Sequence, residues 1–196
     1  MIAGCLTKFD LSFEEGGIFM NFQQIYLDVI SKRFKNLKEQ GDKTLSQLNH
    51  EQFHWTINEE SNSIAVIVKH ISGNMISRWT DFLTTDGEKS TRNRDDEFID
   101  SFTTTEEILT TWEKGWQVFL DAIEQLTEAD LEKVITIRGE QHSVIDAIER
   151  QMSHYAQHVG QIIYIAKQVT GSQWQTLSIP RGQSQNFTDA MVKKHQ

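Results

Sequence analysis

Four stretches of the chain repeat apolar residues at spacings of three and four, and its single proline, Pro180, lies beyond all of them. Such a repeat follows the 3.6-residue period of a helix and not the two-residue alternation of a strand, and proline is the residue that most strongly breaks helices. The first stretch runs from about Asn21 to Gln40 and carries Phe22, Ile25, Tyr26, Val29, Ile30, Phe34 and Leu37, with Gly41 as a stop signal. The second, Ser63 to Leu83, has the stripe Ile64, Ile67, Val68, Ile71, Met75, Trp79 and Phe82. Thr104 and Glu107 form a capping box that opens the third, which continues to about Leu126. The fourth begins near Ser143, with Asp146 in its first turn, and ends by Thr170-Gly171.

The joints are unequal. Residues 42–62 contain Leu45, Leu48, Phe53 and Trp55 and read as a short helical turn that lids the helices. A polar crossover, 84–102, includes the run Arg92-Asn93-Arg94-Asp95-Asp96-Glu97, expected to be solvated. Val134, Ile135 and Ile137 before Arg138-Gly139-Glu140 predict a small hairpin ahead of the fourth helix. The expected fold is therefore all-α: a four-helix bundle over residues 20–184, with one long crossover between helices two and three. Residues 1–19 are expected to be an upstream extension, with Met20 the true start, and residues 185–196 a tail.

Charge and cysteine usage narrow the partners. The 196 residues suit one domain, and their formal net charge of −9 argues against nucleic acid, which needs a concentrated basic surface. No run of about 18 apolar residues offers a membrane span, and residues 1–20 lack the apolar core of a signal peptide. Cys5 is the only cysteine, so no disulfide can form within the chain, and a cytoplasmic, reducing setting is expected.

Two of the seven histidines pair at i, i+4 in the fourth helix, His154 with His158, and two more in the first joint, His50 with His54. Helix residues four apart share a face, so both imidazoles of a pair can reach one ion. Spacing alone does not decide it, because ordinary boundary histidines produce the same pattern. His154 and His158 fall on the shoulder between the apolar stripe (Ile148, Tyr155, Val159, Ile162) and the polar face, which suits a ligand. His50 and His54 read as surface or lid residues, and His142 as the residue before the helix cap. His70 lies on the side of helix two away from its stripe, among Val66, Gly73 and Ser77, where it faces either solvent or a second contact surface.

The segments Ile64-Ala-Val-Ile-Val-Lys-His70 and His154-Tyr-Ala-Gln-His158-Val-Gly-Gln161 resemble the DinB/YfiT-like superfamily of metal-dependent enzymes. Ser61–His70, Arg78-Trp79-Thr-Asp-Phe-Leu83 and Ser178-Ile-Pro-Arg-Gly-Gln-Ser184 are similar to one bacterial subfamily within it, and the resemblance covers residues 20–184. It implies a bundle with one long crossover, a homodimer, and one divalent metal ion between helices two and four held by His70, His154 and His158. Three imidazoles leave coordination positions open, as in catalytic sites, and the nitrogen-rich set suits zinc or nickel. Members resembling this chain transfer low-molecular-weight thiols, while others are taken for hydrolases. The expected activity is attack of a thiol cosubstrate or water on a small electrophilic substrate, with thiol S-transfer favoured. A non-catalytic, stress-related metal or small-ligand binding protein is the alternative.

Other residues have two readings each. Gln157 and Gln161 either face solvent or orient an imidazole or a bound water. Arg181, in a loop fixed by Pro180, either clamps a substrate carboxylate or phosphate or docks the C-terminal tail. Trp79, Trp112 and Trp116 fit core positions. No nucleophile elbow and no phosphate-cradling glycine loop is present, so any chemistry must be organised by the metal.

Overall fold

The computed structural model describes residues 21–195. Cys5 and the extension expected over 1–19 lie outside the described residues. The described chain is mostly helical: α1 (Phe22–Leu45), α2 (His50–His54), α3 (Ile64–Trp79), α4 (Thr105–Glu124), the antiparallel hairpin β1 (Val134–Ile137) and β2 (Glu140–Ser143), α5 (Val144–Thr170) and α6 (Ser184–Lys194). No described helix is long and apolar enough to cross a membrane.

Side-chain caps start the long helices where the polar residues predict. Asn21, Ser63 and Ser143 each accept a hydrogen bond from the backbone N–H three residues on. Thr104 and Glu107 complete their capping box, with Glu107 Oε2 accepting from Thr104 N at 3.2 Å. Gly171, at φ 55°, ends α5.

The hairpin turn Arg138-Gly139 has both residues at positive φ, 56° and 77°, as a two-residue turn between twisted strands requires. Asp86 in the crossover secures it, accepting from Arg138 N and Gly139 N at 2.9 Å each. Gly87 N donates to Thr136 O at 2.8 Å. The hairpin is thereby tied to the crossover beside α3.

α3 packs against α4 and α5, and α1 packs against the same two helices. The shared core holds Phe34, Met75, Trp116, Phe119 and Tyr155, all fully buried, and burying each such side chain contributes about 1.5–3 kcal/mol. Trp79, Trp112 and Trp116 are core residues at 2 % exposure or less. Trp79 Nε1 donates to Tyr155 Oη at 3.2 Å and Tyr155 Oη to Asn74 Oδ1 at 3.1 Å, so these buried polar atoms satisfy one another.

The structure departs from the sequence reading in four places. α1 runs through Gly41 to Leu45, because Gly41 is buried where a Cβ would collide with the Trp112 ring; this glycine serves a close approach and not a stop. α1 also buries only part of the expected stripe, since Phe22, Ile25 and Val29 stay exposed while Leu27 turns inward. α3 ends at Trp79, not Leu83, and the chain turns through Asp81 at φ 49°. Most of the expected tail is helical, as α6, with no buried residue.

Candidate metal centre

α3 is buried on nearly every side, so His70 at its middle is only 6 % exposed. His154 and His158 stand on successive turns of α5, half-buried at the edge of its apolar face. Because α3 and α5 pack side by side, the three rings meet: centroids are 5.5 Å apart for His70–His154, 5.0 Å for His70–His158 and 4.7 Å for His154–His158. One ring nitrogen from each lies within 4.8 Å of the other two. The group is compatible with holding a metal ion.

Each imidazole is gripped from behind at Nδ1. His70 Nδ1 meets Glu97 Oε2 at 3.0 Å, His154 Nδ1 meets Gln151 Oε1 at 3.3 Å, and His158 Nδ1 meets Gln161 Oε1 at 2.8 Å. Ionised Glu97 can only accept, so the neutral form of His70 carries its proton on Nδ1 and leaves Nε2 free to ligate. The amide oxygens impose the same tautomer on the other two rings. His154 Nε2 and His158 Nε2 then face each other at 3.1 Å with two lone pairs, an arrangement that a cation between them relieves. Metal–nitrogen bonds of about 2.0–2.1 Å place two nitrogens of one tetrahedral ion about 3.3–3.4 Å apart. The His154–His158 pair is close to that spacing, whereas the three-nitrogen group, spread over as much as 4.8 Å, draws together to hold one ion.

The same surroundings keep the two α5 imidazoles neutral. Burial, with added repulsion from His158 and His70, pushes His154 down to about 3. Burial and His70 also lower His158, partly opposed by its bond to Gln161. Metal ligation requires neutral imidazole, and both histidines are held in that form at neutral pH.

Glu97 reaches His70 because Gly73, one turn further along α3, has no side chain; a Cβ there would collide with the Glu97 carboxylate. The small side of α3 thus meets the crossover, which Lys69 also pins by donating to Ile99 O at 3.0 Å and Ser101 Oγ at 2.8 Å. Arg92 clamps the same carboxylate with the Nε–Nη2 edge of its guanidinium, Nε to Oε1 at 2.7 Å and Nη2 to Oε2 at 2.8 Å. Burial alone would raise the Glu97 carboxyl, but bonds from Arg92 and His70 outweigh it and hold it below the usual carboxylate range. The expectation of a solvated crossover is corrected at Arg92, whose side chain is 4 % exposed.

Beside the histidines opens a cavity of about 210 Å³, walled by His70, His154 and five arginines. Arg78 comes from α3, Arg92 and Arg94 from the crossover, Arg138 from the hairpin turn and Arg150 from α5. A larger groove of about 600 Å³, which includes Trp55, Ile57 and Tyr164, adjoins His158 through Gln157 and Gln161.

The sequence reading therefore singled out all three clustered histidines and Gln161, which bonds His158. Gln157 is exposed in the groove wall and makes no such bond. Arg181 is exposed in the turn after Pro180 and does not line the histidine cavity. His50 and His54 form a separate pair at the edge of α2, where His54 Nδ1 meets Asp100 Oδ2 at 2.7 Å. His142 directly precedes the cap Ser143 and bonds Asp146 at 2.6 Å.

Sequence reasoning missed Glu97, Gln151 and the arginines. Gln151 had a signal, since it stands three residues before His154 as Gln161 stands three after His158. Glu97 had none of its own within the run Asp95-Asp96-Glu97; only the missing side chain at Gly73 marks its landing place.

No curated protein matches the chain. Residues 21–183 match the model of a family described as a protein of unknown function, DUF1572, and the chain belongs to that family.

Proposed function

We propose that this protein is a metal-dependent enzyme of the DinB-like type, in which α1, α3, α4 and α5 form a four-helix bundle and His70, His154 and His158 hold one zinc or nickel ion. The observation that carries the reading is the convergence of three imidazoles, each fixed at Nδ1, on one point beside a cavity. A divalent ion held there would supply an open position and a full double charge that eases deprotonation of a thiol or water.

The residues around it have distinct tasks. Glu97 fixes the tautomer and the direction of His70, and Arg92 fixes Glu97. Phe98 lies over His70 with ring centroids 4.8 Å apart and keeps water from that side. Thiol transfer is favoured over hydrolysis because a thiol, with a pKa of about 8.5, needs less help to lose its proton than water. Hydrolysis would gain from a general base, and Glu97 is committed to Arg92 and His70. The substrate is a small electrophile and the cosubstrate a low-molecular-weight thiol. A homodimer in the cytoplasm belongs to the same reading, and sedimentation velocity tests the dimer.

Elemental mass spectrometry of untagged protein purified without a metal column is the deciding measurement. One zinc or nickel per chain is expected, lost in His154→Ala/His158→Ala. Absence of metal, with none taken up on titration at neutral pH, overturns the assignment. Turnover of an electrophile with bacillithiol or mycothiol, abolished in His158→Ala, separates the enzyme from a non-catalytic metal binder.

A further inference from the structure

The chain has seven arginines, and five of them line one small cavity; none of the described lysines does. In a chain of formal net charge −9, general basicity does not explain such a gathering. The five come from four separate parts of the fold, so no single helix face brings them together either. The choice of arginine over lysine matches the planar, multi-donor recognition of oxyanions.

The carboxylates these arginines engage are Glu88 and Glu97. Glu97 is bound by the Nε–Nη2 edge of Arg92 and by His70. Glu88 takes Arg138 Nε at 2.9 Å and lies 3.4 Å from Arg92 Nη1 and 3.8 Å from Arg78 Nη2. Arg94 and Arg150 take no part in these pairs, so among the described residues two carboxylates stand against five guanidinium groups.

Arg78 is the most telling. Its side chain is 4 % exposed, yet Nε and Nη1 have no hydrogen-bond partner among the described residues. Burial, with repulsion from Arg150 and Arg138 only partly offset by Glu88, weakens its hold on its proton. A buried guanidinium with two unsatisfied nitrogens and its nearest carboxylate partner as far as 3.8 Å is costly.

Arg138 breaks a second local rule. It occupies a turn position at φ 56°, where asparagine, aspartate or glycine is cheaper, and its side chain lines the cavity. Its bond to Glu88 does not require arginine at so costly a backbone position, and residues that violate local preference cluster at functional sites.

We propose that the arginine-walled cavity binds the carboxylate or phosphate group of a small anionic substrate and thereby sets its reactive end beside the three histidines. Its volume of about 210 Å³ lies below the roughly 300–1,000 Å³ typical of drug-sized pockets and suits a metabolite-sized anion. The proposal names the substrate class of the site described above, and so rests on that reading for its catalytic meaning. The anion site itself requires no metal.

Calorimetric titration of metal-free protein at pH 7.5 with inorganic phosphate and, separately, malonate tests it, against chloride at matched ionic strength. Saturable binding of one anion per chain is expected, and the tighter of the two names the headgroup. Arg150→Gln, on the exposed side of α5, and Arg138→Asn, which suits the turn better than arginine, are both expected to fold and to weaken binding about tenfold or more. Arg78→Met is expected to abolish binding while leaving the melting temperature unchanged or raised, because the lost guanidinium was buried with two nitrogens unsatisfied and only a long pair to Glu88; a structural role for Arg78 would lower it. No saturable binding of either anion, or binding unaltered in Arg150→Gln and Arg138→Asn, overturns the proposal. Metal content is read separately, so failure of the histidine site and failure of the anion site are distinguishable.

Discussion

A single carboxylate, Glu97, carries two jobs at the candidate centre: it sets the tautomer of His70 and neutralises buried Arg92. Glu97→Gln keeps the shape but removes the charge, so His70 loses its obligate acceptor and Arg92 loses its counter-ion. Metal affinity, measured by competition with a chromophoric chelator, should fall about 10–100-fold. Gln161→Ala removes a neutral acceptor from the half-buried His158 and should cost less than Glu97→Gln in the same assay. Protons give a second view of the site. His154 is held near 3 in the folded chain, whereas an unfolded histidine titrates near 6.5, so below about pH 6.5 only the unfolded state gains this proton. The metal-free protein must therefore lose stability as pH falls from about 6.5 toward 3, with a limiting slope of about 1.4 kcal/mol per pH unit for each such histidine. Urea midpoints of metal-free protein at pH 7, 6 and 5 should fall more steeply for the wild type than for His154→Gln. Parallel lines would remove the argument that burial keeps this imidazole neutral.

Among the elements, the helices were the most legible part of the sequence, and the reason is physical. Apolar spacing and capping residues act within one helix, so Ser63, Thr104 and Ser143 each begin a helix where local chemistry places it. What one element does to another was not written locally. Gly41 looks like a stop until the Trp112 ring is set against it, and Gly73 is only a small residue until Glu97 occupies its empty side. The same holds at the site: His154 and His158 could be paired by counting along α5, but the arginines stand at 78, 92, 94, 138 and 150 and meet only through the crossover and hairpin. Gly115 gives a test at this scale. A Cβ there would lie 2.7 Å from Ser72 Cα, a backbone atom that cannot swing away, so α3 and α4 would have to separate. Gly115→Ala should destabilise the fold by about 1–3 kcal/mol despite its better helix propensity, read from the denaturant midpoint. An unchanged or raised midpoint would mean that α3 and α4 do not approach this closely.

At the scale of the molecule, the histidines join two helices that are separated by most of the chain: His70 belongs to α3, His154 and His158 to α5. Chain entropy scatters these three side chains on unfolding, so a metal ion should bind the native arrangement and not the unfolded chain with comparable strength. Binding of that kind adds to stability by mass action, about 4 kcal/mol when free metal exceeds the dissociation constant a thousandfold. For a domain of this size each kcal/mol moves the melting temperature by about 2–4 °C, so metal loading should raise it by about 8–16 °C. Chelation should reverse the rise, and His154→Ala/His158→Ala should melt at one temperature with or without metal. The alternative of a helical fold without a metal role makes the opposite forecast, because its stability lies wholly in the apolar core around Phe34, Trp116 and Tyr155 and is indifferent to chelators. Differential scanning calorimetry on metal-loaded, metal-free and double-variant protein separates the two, since only a metal held between α3 and α5 links the melting temperature to metal concentration.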